Sequence, residues 1–188
     1  MKCNMLLQRS LHRLICEGGD INETPGARNR SLVLEAARHD NEMALDLLIQ
    51  ARADVNKADE DGVTPVFIAA AKDHDKVLER LIAARAEVDK ANNNGVTPVF
   101  AAAQNGHDKV LERLIATRAE IDKATNNDAT PLNIAAQKGH EKVLERLIAA
   151  RAEVDKAKND GATPVDIAAQ KGHDKALERL IAASAEVD

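Results

Sequence analysis

Aromatic residues make up only 1% of this 188-residue chain, which has two phenylalanines and neither Trp nor Tyr. A core without large rings has to be built from Ala, Leu, Ile and Val, which suits thin layers of small helices. Cysteine is nearly absent as well: Cys3 and Cys16 both lie in the N-terminal segment. Two thiols so placed cannot staple a disulfide scaffold, so reduced cysteines in an intracellular, cytoplasmic protein are the expectation. No apolar run approaches the roughly 18 residues of a membrane span. Basic excess is missing too, with 26 Lys+Arg against 31 Asp+Glu and a formal net charge of -5. That balance argues against nucleic-acid and membrane partners and favours solubility. Phosphate loops, CxxC pairs and HExxH helices do not occur, and no cofactor is expected.

What the chain does have is a period. Thr-Pro followed by Val or Leu recurs at Thr64, Thr97, Thr130 and Thr163, 33 residues apart. Around it the unit barely changes, from Thr64-Pro65-Val66 through Val77-Leu78-Glu79-Arg80-Leu81-Ile82 to Ala86-Glu87-Val88-Asp89. A fixed period of this length marks a stacked array, in which no repeat buries its apolar face alone. The repeats run over residues 26–58, 59–91, 92–124, 125–157 and 158–188, in one continuous domain. Residues 1–25 resemble the second half of a preceding unit and act as a divergent N-terminal cap. One extra residue is absorbed near Pro25-Gly26. Met1 to Ile15 carries Lys2, Arg9 and Arg13 among Met and Leu, a faint likeness to a targeting peptide. However, Leu11, Leu14 and Ile15 keep the apolar spacing of the later units and read as a helix of the array.

Each piece of a unit has a physical role. Asp61-Gly62 or Asn94-Gly95 supplies the positive φ of a tight turn. Thr64 is placed to cap a helix whose first residue, Pro65, has no N–H to leave unpaired. An Ala-rich helix over 66–72 ends at Asp73 or Gly106. A second helix over about 75–84 presents Val77, Leu78, Leu81 and Ile82 on one face, with Asp75 favouring its N-terminal dipole. The piece from Ala86 to Lys90 leads into the next turn.

Sites for chemistry do not emerge from this pattern. His74, His107, His140 and His173 sit in phase, but stacked helices lie about 8–10 Å apart, far beyond Zn–N bonds of about 2.1 Å. These histidines are expected to bond to local backbone at the helix start, and no metal site is expected. The carboxylates Asp75/Glu79, Asp108/Glu112, Glu141/Glu145 and Asp174/Glu178 form a replicated stripe rather than one convergent catalytic constellation. Cys16 and His12 are spaced i, i+4 on a helix, without a third orienting group, so Cys16 reads as a spectator thiol. No catalytic residues are assigned, and the chain is not expected to be an enzyme.

The pattern D-x-D-G-x-T-P-x-x-x-A-A in Asp59–Ala70 is followed in later units by Gly106-His107. With L-I and A-[DE]-V-[DN] closing each unit, it resembles the ankyrin repeat, well over 26–188 and partially over 1–25. The resemblance implies an all-α, curved solenoid of paired antiparallel helices with β-hairpin-like loops at one side. It also implies a protein-binding module. Several residues depart from the family pattern. Arg52, Arg85, Arg118, Arg151 and then Ser184 stand where Gly ends the second helix, at a strain of about 1 kcal/mol each if the left-handed geometry is kept. Phe67, Phe100, Asn133 and Asp166 replace the family's His after Thr-Pro-Leu, which puts its inter-repeat hydrogen bond in doubt. Leu32 replaces a Pro, and Asn29 and Asp128 replace the turn Gly, so those two loops are expected to be looser.

The units starting at Thr64 and Thr97 differ at six positions over 28 residues: Ile68/Ala101, Ala71/Gln104, Lys72/Asn105, Asp73/Gly106, Ala84/Thr117 and Val88/Ile121. The second helix is nearly frozen, while the turn and the end of the first helix vary. In arrays of this kind those variable parts line the concave face where partners bind. Here that face carries Glu60, Asp61, Val63, Phe67 and Lys72, then Asn93, Asn94, Val96, Phe100, Gln104 and Asn105. It continues with Asn126, Asn127, Asn133, Gln137 and Lys138, and ends with Asn159, Asp160, Asp166, Gln170 and Lys171. Phe67 and Phe100 are natural anchors if exposed, and volume fillers if they tuck between helices. The face as a whole is amide-rich and nearly neutral, so steering is weak.

The expected partner is another protein or peptide, and the expected state is a monomer. The last unit keeps Leu177, Leu180 and Ile181, so self-association through the C-terminal repeat is the alternative to a longer array cut at Asp188. The alternative function is a recruiting or structural segment of a larger enzyme or effector. An engineered scaffold is a third reading, which the irregular first 50 residues oppose.

Overall fold

The computed structural model describes residues 20–22 and 30–185. Apart from residues 20–22, the expectations for the N-terminal half-repeat, and those for Cys3, Cys16, His12, the Pro25-Gly26 insertion and the Asn29 turn, lie outside the described residues. Among the described residues there are ten helices and no strand, and no helix is long and apolar enough to cross a membrane. The chain forms two compact units, Met1–Asn93 and Asn94–Asp188. The first holds α1 (Leu32–Arg38), α2 (Glu42–Gln50), α3 (Pro65–Ala71) and α4 (Asp75–Ala83). The second holds α5 (Pro98–Asn105), α6 (Asp108–Ala116), α7 (Pro131–Lys138), α8 (Glu141–Ala149), α9 (Pro164–Lys171) and α10 (Asp174–Ala185).

Within each unit, first helices stack on first helices and second on second: α1 on α3 and α2 on α4, then α5, α7 and α9 in a row beside α6, α8 and α10. The first helices start as the sequence dictates. The hydroxyls of Thr64 and Thr97 accept the N–H groups of Phe67 and Phe100 at 3.1 Å, and those of Thr130 and Thr163 accept Asn133 and Asp166 at 3.2 Å. Ser31 does the same for Leu34, so Leu32 occupies the proline position without loss of the cap. Small Ala residues such as Ala69, Ala70, Ala102 and Ala135 are fully buried, which lets neighbouring helices approach closely. The second helices α4, α6 and α8 bury a Val and two Leu apiece, among them Val110, Leu111 and Leu114, all at 0% exposure, and Ala44 and Ala176 take the Val position in α2 and α10.

Arginine keeps the left-handed turn that glycine usually makes. Arg52, Arg85, Arg118 and Arg151 have φ of 60, 61, 64 and 65°. Each second helix that they end closes with paired bonds, as in Arg118 N–H to Ile115 O at 2.9 Å and Ala119 N–H to Leu114 O at 3.3 Å, the Schellman arrangement. The Ala that follows each Arg is buried at 6–8% exposure, so the turn is held by packing although its residue is unfavourable there. Arg118 is itself exposed. Arg118→Gly is therefore expected to raise the unfolding free energy by about 0.5–1 kcal/mol, the relief of left-handed strain less the entropy that glycine gains when unfolded. A urea midpoint that falls would contradict this. Ser184 does not follow the series: α10 runs through it to Ala185 without a left-handed residue, and its hydroxyl donates to Asp155 Oδ1 at 3.0 Å.

The Asp128 turn is as closed as the glycine turns, which corrects the expectation of a looser loop. Asp128 takes φ 54°, and its N–H bonds Thr125 O at 2.9 Å, just as Gly62 N–H bonds Asp59 O at 3.0 Å. Asp tolerates this region better than most side chains, because a short polar group can bond locally.

Candidate functional site

The 21 residues expected on the binding face divide between the two units. In the first, Glu60, Asp61, Lys72 and Asn93 are exposed, while Val63 and Phe67 are half-buried. In the second, Asn94, Gln104, Asn105, Asn126, Asn127, Gln137, Lys138, Asn159, Asp160, Asp166, Gln170 and Lys171 are exposed, and Val96 is half-buried. Two residues leave the surface: Phe100 is 6% exposed and Asn133 only 2%. The two phenylalanines thus part company, and Phe100 is a filler rather than an anchor.

Asn133 is buried because it completes a reciprocal cap. Its Oδ1 accepts the Thr130 N–H at 2.8 Å and the Thr130 hydroxyl at 2.9 Å, while its own N–H bonds Thr130 Oγ1. Its amide Nδ2 reaches Lys156 O, near the end of the same repeat, at 3.4 Å. The bond at this position therefore ties the first helix to the closing segment of its own repeat. Asp166 repeats the cap at an exposed site, accepting from Thr163 N–H at 3.0 Å and Thr163 Oγ1 at 2.7 Å. Those two bonds hold its carboxyl below the ordinary value of 3.8.

A carboxyl lowered by folding stabilises the fold above its unfolded pKa, and that stability fades as pH falls through the folded value. Asp166→Asn keeps the cap geometry, as Asn133 shows, but cannot titrate. The variant should therefore lose less stability than the parent between about pH 7 and about pH 3, by urea unfolding at each pH. An equal or larger acid loss in the variant would refute this.

The turn tips bond repeat to repeat. In the first unit Asn93 N–H donates to Asp61 O at 3.0 Å and Asn93 Nδ2 to Glu60 O at 2.9 Å. In the second unit Asn126 N–H donates to Asn94 O at 3.1 Å. A Cβ on Gly62 would lie 2.6 Å from Asn93 Oδ1, so glycine there allows both the positive φ and the next tip's approach. Part of the tip chemistry is thus structural. Asp160 is tied within its own turn, to Lys158 Nζ at 3.0 Å and the Ala162 N–H at 3.1 Å, and both lower its carboxyl.

Three of the in-phase histidines, His74, His140 and His173, bond backbone, though not their own. His140 Nε2 meets Gln104 O and His173 Nε2 meets Gln137 O, each at 3.1 Å, while His74 Nδ1 meets Ala37 O at 2.7 Å. Each carbonyl belongs to the preceding repeat, which corrects the expectation of a local bond. The rings lie over glycine: a Cβ on Gly139 would fall 2.7 Å from His173 Nδ1. Among the described residues no three His, Cys, Asp or Glu side chains gather as metal ligands.

Two further ladders hold repeats together. Arg80 bonds Asp46 at 2.9 Å and Glu42 at 2.8 Å, Arg146 bonds Glu112 at 3.2 Å, and Arg179 pairs with Glu145. Solvated pairs of this kind contribute a few tenths of a kcal/mol each. The second ladder was missed in the sequence. The side-chain oxygens of Asn22, Asn56 and Asp122 accept the N–H groups of Asp54, Glu87 and Glu153, one repeat on, at 2.8–3.0 Å. Burial raises the Asp122 carboxyl, against the Glu153 N–H that lowers it. The signal was present in the closing letter of A-[DE]-V-[DN], which always carries a side-chain oxygen.

Comparison with known proteins gives one family. The model described as Ankyrin repeats (3 copies) matches residues 7–92, 33–125, 70–158 and 100–188 in overlapping copies. No curated protein matches the chain.

Proposed function

We propose, for a chain that belongs to the ankyrin repeat family, whose members are generally protein–protein interaction modules, that it binds a protein or peptide without catalysing a reaction. Binding uses the turn tips and the exposed ends of the first helices. The observation that carries this reading is a division of labour between the two helices of each repeat. Arg80, Arg146 and Arg179 and the carboxylates they reach are engaged between repeats, as are the buried Val and Leu residues beside them. In contrast, Gln104, Gln137, Gln170, Lys138 and Lys171 are exposed at the ends of the first helices, where Ala71 and Asn105 are the departures from a repeated Gln-Lys pair. The replicated carboxylates support a structural rather than catalytic role, because several are already partners in the ion-pair ladder.

Two multiple-alanine variants test this in affinity capture from the source cells. One replaces Gln137, Lys138, Gln170 and Lys171 by Ala, and the other replaces Lys109, Lys142 and Lys175 on the second helices. The first is expected to lose the captured proteins and the second to keep them, with matching urea midpoints. Loss in the second variant alone would place binding on the other face.

A further inference from the structure

Read from sequence, the first-helix face is nearly neutral, because Lys72, Lys138 and Lys171 are set against Glu60, Asp61 and Asp160. The structure changes that balance within the second unit. Asp160 is already neutralised by Lys158 at 3.0 Å and by a backbone N–H. Asp166 is consumed in the cap of α9, where two bonds from Thr163 and the helix N-terminus hold it ionised. Both acids sit toward the N-terminal ends of the first helices. The lysines close α7 and α9 at the other end, about 12 Å away along an eight-residue helix. Asp128, the third acid on this side, stands at a turn tip, also at the N-terminal end.

At the C-terminal end the nearest acids in sequence are Glu141 and Asp174. Glu141, three residues past Lys138, pairs with Lys175 at 3.7 Å. Asp174, three residues past Lys171, lies in the first turn of α10, where the helix dipole favours it. Among the described residues neither Lys138 nor Lys171 has a hydrogen-bond or ion-pair partner, and both are exposed. Beside them stand the exposed amides of Gln104, Gln137 and Gln170, on three helices that pack in a row. An open hollow of about 300 Å³, lined by Gly106, Gly139, His140 and neighbouring residues, borders the row.

We infer that this row, the C-terminal ends of α5, α7 and α9, takes an extended acidic peptide lying across the repeats. The inference rests on the binding-module reading above and adds the charge class and spacing of the partner. Packed helices lie about 8–10 Å apart, and a peptide in the extended polyproline II conformation advances about 3.1 Å per residue with every third side chain on the same side. Carboxylates three residues apart therefore reach Lys138 and Lys171 together, while the glutamines bond the peptide backbone between them. Charge complementarity of this kind sets specificity and encounter rate more than affinity, so binding in the micromolar to millimolar range is expected.

The test uses the full chain, ¹⁵N-labelled, and unstructured Gly/Ser peptides carrying two Glu three residues apart, two Gln, or two Lys. A short single-stranded oligonucleotide serves as a further probe. At peptide concentrations up to millimolar, the Glu peptide is expected to shift the amides of Gln137, Lys138, Gln170 and Lys171, and less so in high salt. Lys138→Glu with Lys171→Glu should weaken it about tenfold and admit the Lys peptide. If the Gln or Lys peptide, or the oligonucleotide, shifts these amides and the Glu peptide does not, the acidic class is wrong while the face survives. If every probe leaves them unmoved, the inference fails. If the shifts fall on the second helices instead, the binding-face reading fails with it.

Discussion

Replacing Phe100 by Ala is expected to lower the unfolding free energy by about 3–5 kcal/mol, the loss typical of a buried ring whose cavity does not collapse. Phe100 is 6% exposed, whereas Phe67, its counterpart one repeat earlier, is only half-buried. Phe67→Ala should therefore cost less, about 1–2 kcal/mol, since less apolar surface is taken from water. Urea unfolding of both variants separates these values. Equal losses would mean that Phe100 is not packed as described. The result also bears on function, because a binding defect in a Phe100 variant would reflect lost stability rather than a lost anchor. Phe67 is the aromatic residue whose removal can report on partner contact.

The second large effect concerns the seam between repeats. Gly139 and Gly172 both have φ of 68°, so Ala at either position meets left-handed strain of about 1–2 kcal/mol. They differ in what stands over them. A Cβ at Gly139 would lie 2.7 Å from His173 Nδ1, whereas nothing lies within 4 Å of a Cβ at Gly172. To admit the methyl group, His173 must give up its 3.1 Å bond to Gln137 O. Gly139→Ala is accordingly expected to cost about 2–3 kcal/mol, strain plus one lost hydrogen bond, and Gly172→Ala only the strain. In a His173→Ala background the excess at Gly139 should vanish, the signature of coupling between contacting residues. Equal costs for the two glycines in the parent chain would show that the histidine does not lock the repeats together.

Much of this seam was legible in the sequence, and the remainder was hidden for physical reasons. Thr64, Pro65 and the turn before them specify a helix start through local bonds alone, so their roles could be read without knowing neighbours. The Val-Leu-x-x-Leu-Ile face is likewise set by helical period. Asn133 and Asp166 look alike in one dimension. Both complete the same cap, yet one is 2% exposed and the other lies open, and burial depends on what stacks above each helix. The histidines illustrate the same limit. Their phase was visible, but the carbonyl each one meets lies 36 or 37 residues back, across a junction that spacing alone does not orient. Arg118 and its three equivalents show tertiary packing overriding local preference, since a buried Ala on the far side of each turn holds an unfavourable residue left-handed.

The proposal to be tested is that a partner meets the exposed first-helix ends rather than the second helices. Site-specific cross-linking tests it most directly, with a photoreactive residue placed in turn at Gln137, Gln170 and, on a second helix, Lys142. Adducts with the partner are expected from Gln137 and Gln170 and none from Lys142. Adducts from Lys142 alone, or equally from all three, would contradict it.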